Sequence, residues 1–172
     1  MGAPACASEI QLDLSSRRNA DADGKRITVS QGLVDFAGSD DELAFLISHE
    51  LSHNLLGHRA LLDASKTNRS GLFAGVGADA ARIRSTEEQA DYYGLYVAAL
   101  AGYDVRAASN FWRRWGREFP LGTLLKDRSH PANADRVAEL DRAADEIEAK
   151  RRSGVKLMPI YEAFIQGAPS GP

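Results

Sequence analysis

Ser39-Asp40-Asp41-Glu42-Leu43-Ala44-Phe45-Leu46-Ile47-Ser48-His49-Glu50-Leu51-Ser52-His53 opens with the Ser-x-x-Glu spacing of a capping box and continues as a helix. Leu43, Leu46, Ile47, Leu51 and Leu55 recur at helical spacing, so the helix is expected to run to about His58 or a few residues beyond, with a broad apolar face turned to a core. Four residues separate His49 from His53, which puts two imidazoles one turn apart on one face. Both can then reach a single tetrahedral Zn²⁺ at about 2.0–2.1 Å. Glu50 projects from the adjacent part of the helix, where it can sit beside such an ion without binding it and take a proton from water.

A third ligand is needed, and Glu87-Glu88-Gln89-Ala90-Asp91 supplies candidates on a second helix, expected over residues 84–101 and ended by Gly102. Glu87 and Asp91 are again one turn apart on one face. One can bind the metal while the other accepts a hydrogen bond from an imidazole, and Asp91 suits that second task for His49, since a ligating imidazole needs its other nitrogen tied down. Acidic residues at a helix start are also favoured by the dipole alone, so the carboxylates gain their meaning from the histidine pair. His58 lies five residues after His53 with Gly57 adjoining it, so it misses the His-x-x-Gly-x-x-His pattern and reads as a histidine at the helix end or behind a ligand.

Outward from these helices, residues 9–14 and 25–30 alternate polar with apolar and read as two strands of a small sheet, separated by the turn-rich residues 19–24. Residues 32–36 suggest a short helix. Residues 66–79 read as a loop or poorly formed helix, and the glycines within residues 70–77 make a lid conceivable. Asp104 can cap a further helix whose Val105, Ala108, Phe111, Trp112 and Trp115 have the spacing of a core face, with Arg113, Arg114 and Arg117 on a solvated side. The last long helix is expected to begin at Pro131 and carry Val137, Leu140, Ala144 and Ile147. The whole chain reads as one domain, with its core over residues 8–165 and a disordered tail from residue 166 onward.

With 172 residues, 44% hydrophobic and 26% charged, the chain can bury a real core. A net charge of −3 with interspersed signs lacks the basic stripe that a phosphate backbone requires, so no nucleic acid partner is expected. No apolar run reaches the roughly 18 residues of a membrane span. Cys6 is the single cysteine, which excludes an internal disulfide and a cysteine-rich zinc site. No signal peptide is visible at the start of the sequence.

Four segments, taken in order, resemble the zinc metallopeptidases that include HtpX, the CAAX prenyl endopeptidases and the OMA-type mitochondrial proteases, which are gluzincins of peptidase family M48. They are Asn19-Ala20-x-Ala22-x-Gly24 with Ile27 and Val29, His49-Glu50-x-x-His53, Glu87-x-x-Ala90-Asp91, and Ser129-His130-Pro131 followed by Arg136. The resemblance implies an α+β, mostly helical zincin-like domain with a small β-sheet beside the active-site helix. It implies one Zn²⁺ per chain on His49, His53 and Glu87 rather than Glu88, with Glu50 as general base in peptide hydrolysis. It also places His130 near the metal, hydrogen-bonding an oxyanion or filling the open coordination position, and gives Arg136 a role in supporting that site or contacting substrate. A polypeptide substrate would lie extended along a sheet edge, for which residues 27–30 are the candidate. Without membrane helices the chain is more similar to the soluble or exported members, whose setting would be the bacterial periplasm or a membrane exterior, with a role in protein quality control. The alternative is a metal-binding interaction or chaperone-like domain that keeps the ligands but cleaves little.

Overall fold

The computed structural model describes residues 8–67, 77–119 and 134–166. Alternation of polar and apolar side chains yields β1 (Glu9–Asp13) and β3 (Arg26–Ser30), as expected, and a three-residue strand, β2 (Ala20–Ala22), lies between them in sequence. The order in space is β1-β3-β2, with β1 parallel and β2 antiparallel to β3. By composition residues 19–24 read as turn-rich, whereas the structure has a strand at Ala20–Ala22. The turn proper is only Asp23-Gly24-Lys25, where Asp23 Oδ1 accepts the backbone N–H groups of Lys25 and Arg26 at 2.9 and 2.7 Å and Gly24 adopts a φ of +100°. Ala20 and Ala22 can then pair with Val29 and Ile27.

One consequence corrects the expected substrate edge. Residues 27–30 belong to the central strand, whose backbone is paired on both sides, so no peptide can add there. Among the described residues the outer strand beside the first long helix is β2.

After β3 come α1 (Gln31–Phe36), α2 (Asp40–Leu55), α3 (His58–Ala64), α4 (Gly77–Leu100), α5 (Arg106–Glu118), α6 (Ala134–Arg152) and α7 (Tyr161–Ile165). Ser39 caps α2 by accepting the Glu42 N–H at 3.2 Å, while the Glu42 carboxylate reaches back to the Gly38 N–H at 2.8 Å. The helix ends at Leu55, short of His58, because Gly57 turns left-handed at φ +66°. Leu55, expected on the apolar face, is exposed, whereas Leu46 is buried as expected and Phe45 joins it in the core. The helix α4 starts seven residues before Arg84, since Ala78, Ala80 and Ala81 favour helix despite the glycines upstream. It ends as expected at Gly102, where the Tyr103 and Gly102 N–H groups close on the Ala98 and Ala99 carbonyls at 3.0 and 3.1 Å. Asp104 receives the Arg106 N–H at 2.8 Å and so opens α5. The proposed start at Pro131, the glycine-rich residues 70–76 and the tail after Gln166 lie outside the described residues.

The core joins the inner face of the sheet (Ile27, Val29) to Phe45, Leu95, Phe111 and Leu140, one from each of the four long helices. Phe111 and Trp112 are buried, as their spacing predicts. Arg114 is less solvated than expected: it ion-pairs with Glu42, donates to the Phe36 carbonyl at 2.8 Å and lies over the Phe36 ring. Among the described residues no helix is long and apolar enough to cross a membrane. The architecture is α+β and mostly helical, as the sequence implies.

Candidate metal centre

Crossing of α2 and α4 determines the site. Gly94 permits it, because a Cβ there would stand 3.0 Å from both the backbone N and the Cα of His49. Two turns before Gly94, α4 presents Glu87 to the His49–His53 pair. Ligand atoms of His49, His53 and Glu87 all lie within 4.8 Å of one another and could hold a metal ion. His49 Nε2 and His53 Nε2 are 3.1 Å apart, and the Glu87 oxygens lie 3.5 Å from the first and 3.2 Å from the second. Glu88, next in sequence, is exposed and turns away.

Behind His49 stands a buried chain of charge. Its Nδ1 lies 2.8 Å from Asp91 Oδ1, and Asp91 in turn accepts two hydrogen bonds from Arg136, at 2.6 and 2.7 Å. The Arg136 guanidinium also approaches Glu87 at 3.7 Å and lies flat over the Trp112 ring, 3.9 Å from its centroid. Burial alone would push the Asp91 carboxyl up, yet the Arg136 charge and the His49 hydrogen bond hold it below its ordinary value. Burial likewise disfavours a charged His49, but Asp91 and then Glu87 outweigh it and raise the imidazole above its usual value when no metal competes. Behind His53 stands His58, Nδ1 to Nδ1 at 2.9 Å, and burial with the neighbouring His53 charge pushes His58 down to about 4.

Glu50 is buried at 4% exposure and lines a cleft of about 230 Å³ together with His53, Glu87 and the β2 residues Ala20 and Ala22. A smaller cavity on its other side, about 40 Å³, is walled by Leu46, Phe111, Trp112 and Trp115. A further cavity, about 340 Å³, lies between α4 and α6 against Tyr161 and Phe164; it touches Glu87, Asp91 and Arg136 but neither Glu50 nor β2.

Of the residues singled out by sequence, the structure brings His49, Glu50, His53, Glu87, Asp91 and Arg136 to one place. His130 lies outside the described residues. Sequence reasoning missed Gln89 and the place of Trp112 against Arg136; it read His58 as a histidine at the helix end or behind a ligand, and the structure puts it behind His53.

A His-Glu-x-x-His helix whose metal triangle is closed by a carboxylate from a later helix is the arrangement of gluzincin metallopeptidases. The family model for peptidase family M48 matches residues 2–144, and the chain belongs to that family. It is 26% identical over 149 residues to the mitochondrial metalloendopeptidase OMA1 of Schizosaccharomyces pombe, covering 76% of this chain and 44% of that protein. It is 27% identical over 148 residues to a putative beta-barrel assembly-enhancing protease of Vibrio cholerae, covering 67% of this chain and 30% of that protein. The chain thus spans less than half the length of either relative.

Proposed function

We propose that this domain is a zinc-dependent endopeptidase in which His49, His53 and Glu87 hold the ion and Glu50 is the general base. The observation that carries this reading is the cluster of ligand atoms beside a buried glutamate in an open cleft: His49 Nε2 and His53 Nε2 are 3.1 Å apart, and the two Glu87 oxygens lie 3.5 Å from the first and 3.2 Å from the second. Tetrahedral zinc with bonds of about 2.0–2.1 Å needs ligand separations of roughly 3.3–3.4 Å, which these distances approach. Zinc bound there supplies a Lewis acid that acidifies water towards a pKa of about 7 and polarises a carbonyl.

The chain's own residues do the rest. Glu50 takes a proton from water as the water oxygen attacks the peptide carbonyl carbon, and returns it to the amide nitrogen as the C–N bond breaks. Asp91, held by Arg136, receives the His49 Nδ1–H and so keeps Nε2 free to ligate. The substrate backbone lies extended along β2, the outer strand that lines the Glu50 cleft, by strand addition. His130 is assigned, by family resemblance, to the oxyanion or the open coordination position.

The test is metal content by mass spectrometry, with peptide hydrolysis in parallel. About one zinc per chain is expected, lost in Glu87→Ala and retained in Glu88→Ala. Glu50→Gln should keep zinc and lose at least about 100-fold in turnover, the scale of a missing general base. Undiminished hydrolysis in Glu50→Gln, or no zinc after reconstitution, would sink the proposal.

A further inference from the structure

In an uninterrupted α-helix, residues five apart sit about 140° round the axis from one another and their side chains do not meet. His53 and His58 do meet, because the helix is interrupted between them. Gly57 adopts φ +66° and α3 starts afresh at His58, which folds the second imidazole back on the first, Nδ1 to Nδ1 at 2.9 Å. A Cβ on Gly57 would meet nothing within 4 Å, so glycine is required there for its backbone conformation rather than for space. The contact continues inward: His58 Nε2 lies 3.3 Å from Gln89 Oε1, and Gln89 Nε2 lies 3.4 Å from Ser85 Oγ. His58 itself is only 2% exposed.

Proton placement along this chain is determined by its two ends. Two Nδ1 atoms at 2.9 Å share one proton, so one donates and the other accepts. His53 Nε2 is the atom that faces Glu87 at 3.2 Å, and as a metal ligand it must offer its lone pair. The His53 proton is then on Nδ1. His58 Nδ1 accepts it, and the single His58 proton sits on Nε2, facing an amide oxygen that can only accept. Gln89 in turn donates its NH₂ group to Ser85 Oγ. Each of these links pairs one donor with one acceptor.

We propose that His58 is a positioning residue for His53: held by Gln89 as the neutral Nε2–H tautomer, it accepts the His53 Nδ1–H and aims His53 Nε2 at the metal. The inference rests on the metal-site reading above. It makes the two imidazole ligands unequal. His49 is backed by a carboxylate whose charge is balanced by Arg136, whereas His53 is backed by an uncharged relay of imidazole and amide that needs no buried countercharge.

Zinc affinity of the full chain, measured by competition with a chromogenic chelator, tests this in His58→Phe, His58→Asn and Gln89→Leu, alongside histidine tautomers read by long-range ¹H–¹⁵N NMR on the zinc-loaded protein. His58→Phe keeps the ring and removes the acceptor, so zinc should bind about 10–100-fold more weakly, the range for lost partners of metal-ligating histidines. In His58→Asn the amide oxygen stands where Nδ1 stood and should restore most of that loss. The His58 proton should be on Nε2 in the unaltered protein and shift towards Nδ1 in Gln89→Leu. Zinc affinity within about twofold of the parent in a folded His58→Phe overturns the inference, and so does a His58 proton found on Nδ1. If His58→Phe does not fold, the tautomer and its response to Gln89→Leu decide the matter. Absence of zinc from the parent protein overturns the functional reading instead, whereas zinc bound with unchanged affinity in His58→Phe overturns only the inference.

Discussion

Arg136 is the residue on which the centre's electrostatics turn. Its guanidinium and the Asp91 carboxylate are both buried, 6% and 8% exposed, so each is tolerable only in the other's presence. Arg136→Leu leaves Asp91 as an uncompensated buried anion, and urea denaturation should read a loss of about 3–5 kcal/mol. Asp91→Asn combined with Arg136→Leu should recover part of that loss, because no charge is then left unpaired; a single-variant cost below about 1 kcal/mol would mean that water already serves the pair. The histidine pair, Glu50 and the Glu87–Asp91 pair were legible in the sequence because residues one turn apart on a helix share a face whatever the rest of the chain does. The pairing of Asp91 with His49 was legible for the same reason. Trp112 under Arg136 was not, since its ring meets the guanidinium only through the packing of α5 against α6, and no local spacing encodes that.

Two helix contacts hold the site in place. The closeness of α4 to α2 depends on Gly94, and Gly94→Ala would press a methyl onto the His49 backbone at 3.0 Å. Overpacking of that kind costs about 1–3 kcal/mol, and here it should also weaken zinc binding, because Glu87 and Asp91 ride on the helix that is displaced. Unchanged zinc affinity in Gly94→Ala would show that the helices can separate without opening the triangle. At the opposite end, Glu146 on α6 accepts from Tyr96, Lys150 and Tyr92 at 2.6, 2.8 and 3.1 Å, and Tyr92 accepts the Ile160 N–H at 3.0 Å, which fastens the segment leading into α7. Burial alone would raise the Glu146 carboxyl, but the hydrogen bonds from Lys150 and Tyr96 outweigh it and hold it below its ordinary value of 4.5. The stabilisation is therefore complete above that value and is lost as pH falls through the depressed one. Amide protection factors at residues 160–165 should fall on acidification to about pH 3, and Glu146→Gln should flatten that dependence; an identical acid response in the variant would place the weak point elsewhere. Strands β1 and β3 and the helix ends at Gly102 and Asp104 could be read from alternation and capping. β2 could not, because three residues rich in alanine become a strand only when β3 is beside them.

For the molecule as a whole, a metal bridging α2 and α4 would join elements some forty residues apart in sequence, so its removal should be felt globally. With free zinc at about a hundred times Kd the folded state gains about 2.7 kcal/mol, and a chelator should lower the thermal midpoint correspondingly, in proportion to the logarithm of free zinc. A midpoint indifferent to zinc would argue against a bound ion in the folded state. Fold class followed from the sequence because a strand-rich start and helical periods afterwards leave few ways to bury both apolar faces. The substrate edge did not, because strand order in space is decided by pairing and not by position along the chain. The buried ladder His49–Asp91–Arg136, resting on Trp112, also has a temporal meaning. It draws one side chain from each of α2, α4, α5 and α6, and Arg136 is the last of the four to leave the ribosome. Until then Asp91 lacks its buried counter-charge, so a nascent chain carries both histidines and the glutamates well before it can hold them together as they stand in the folded domain.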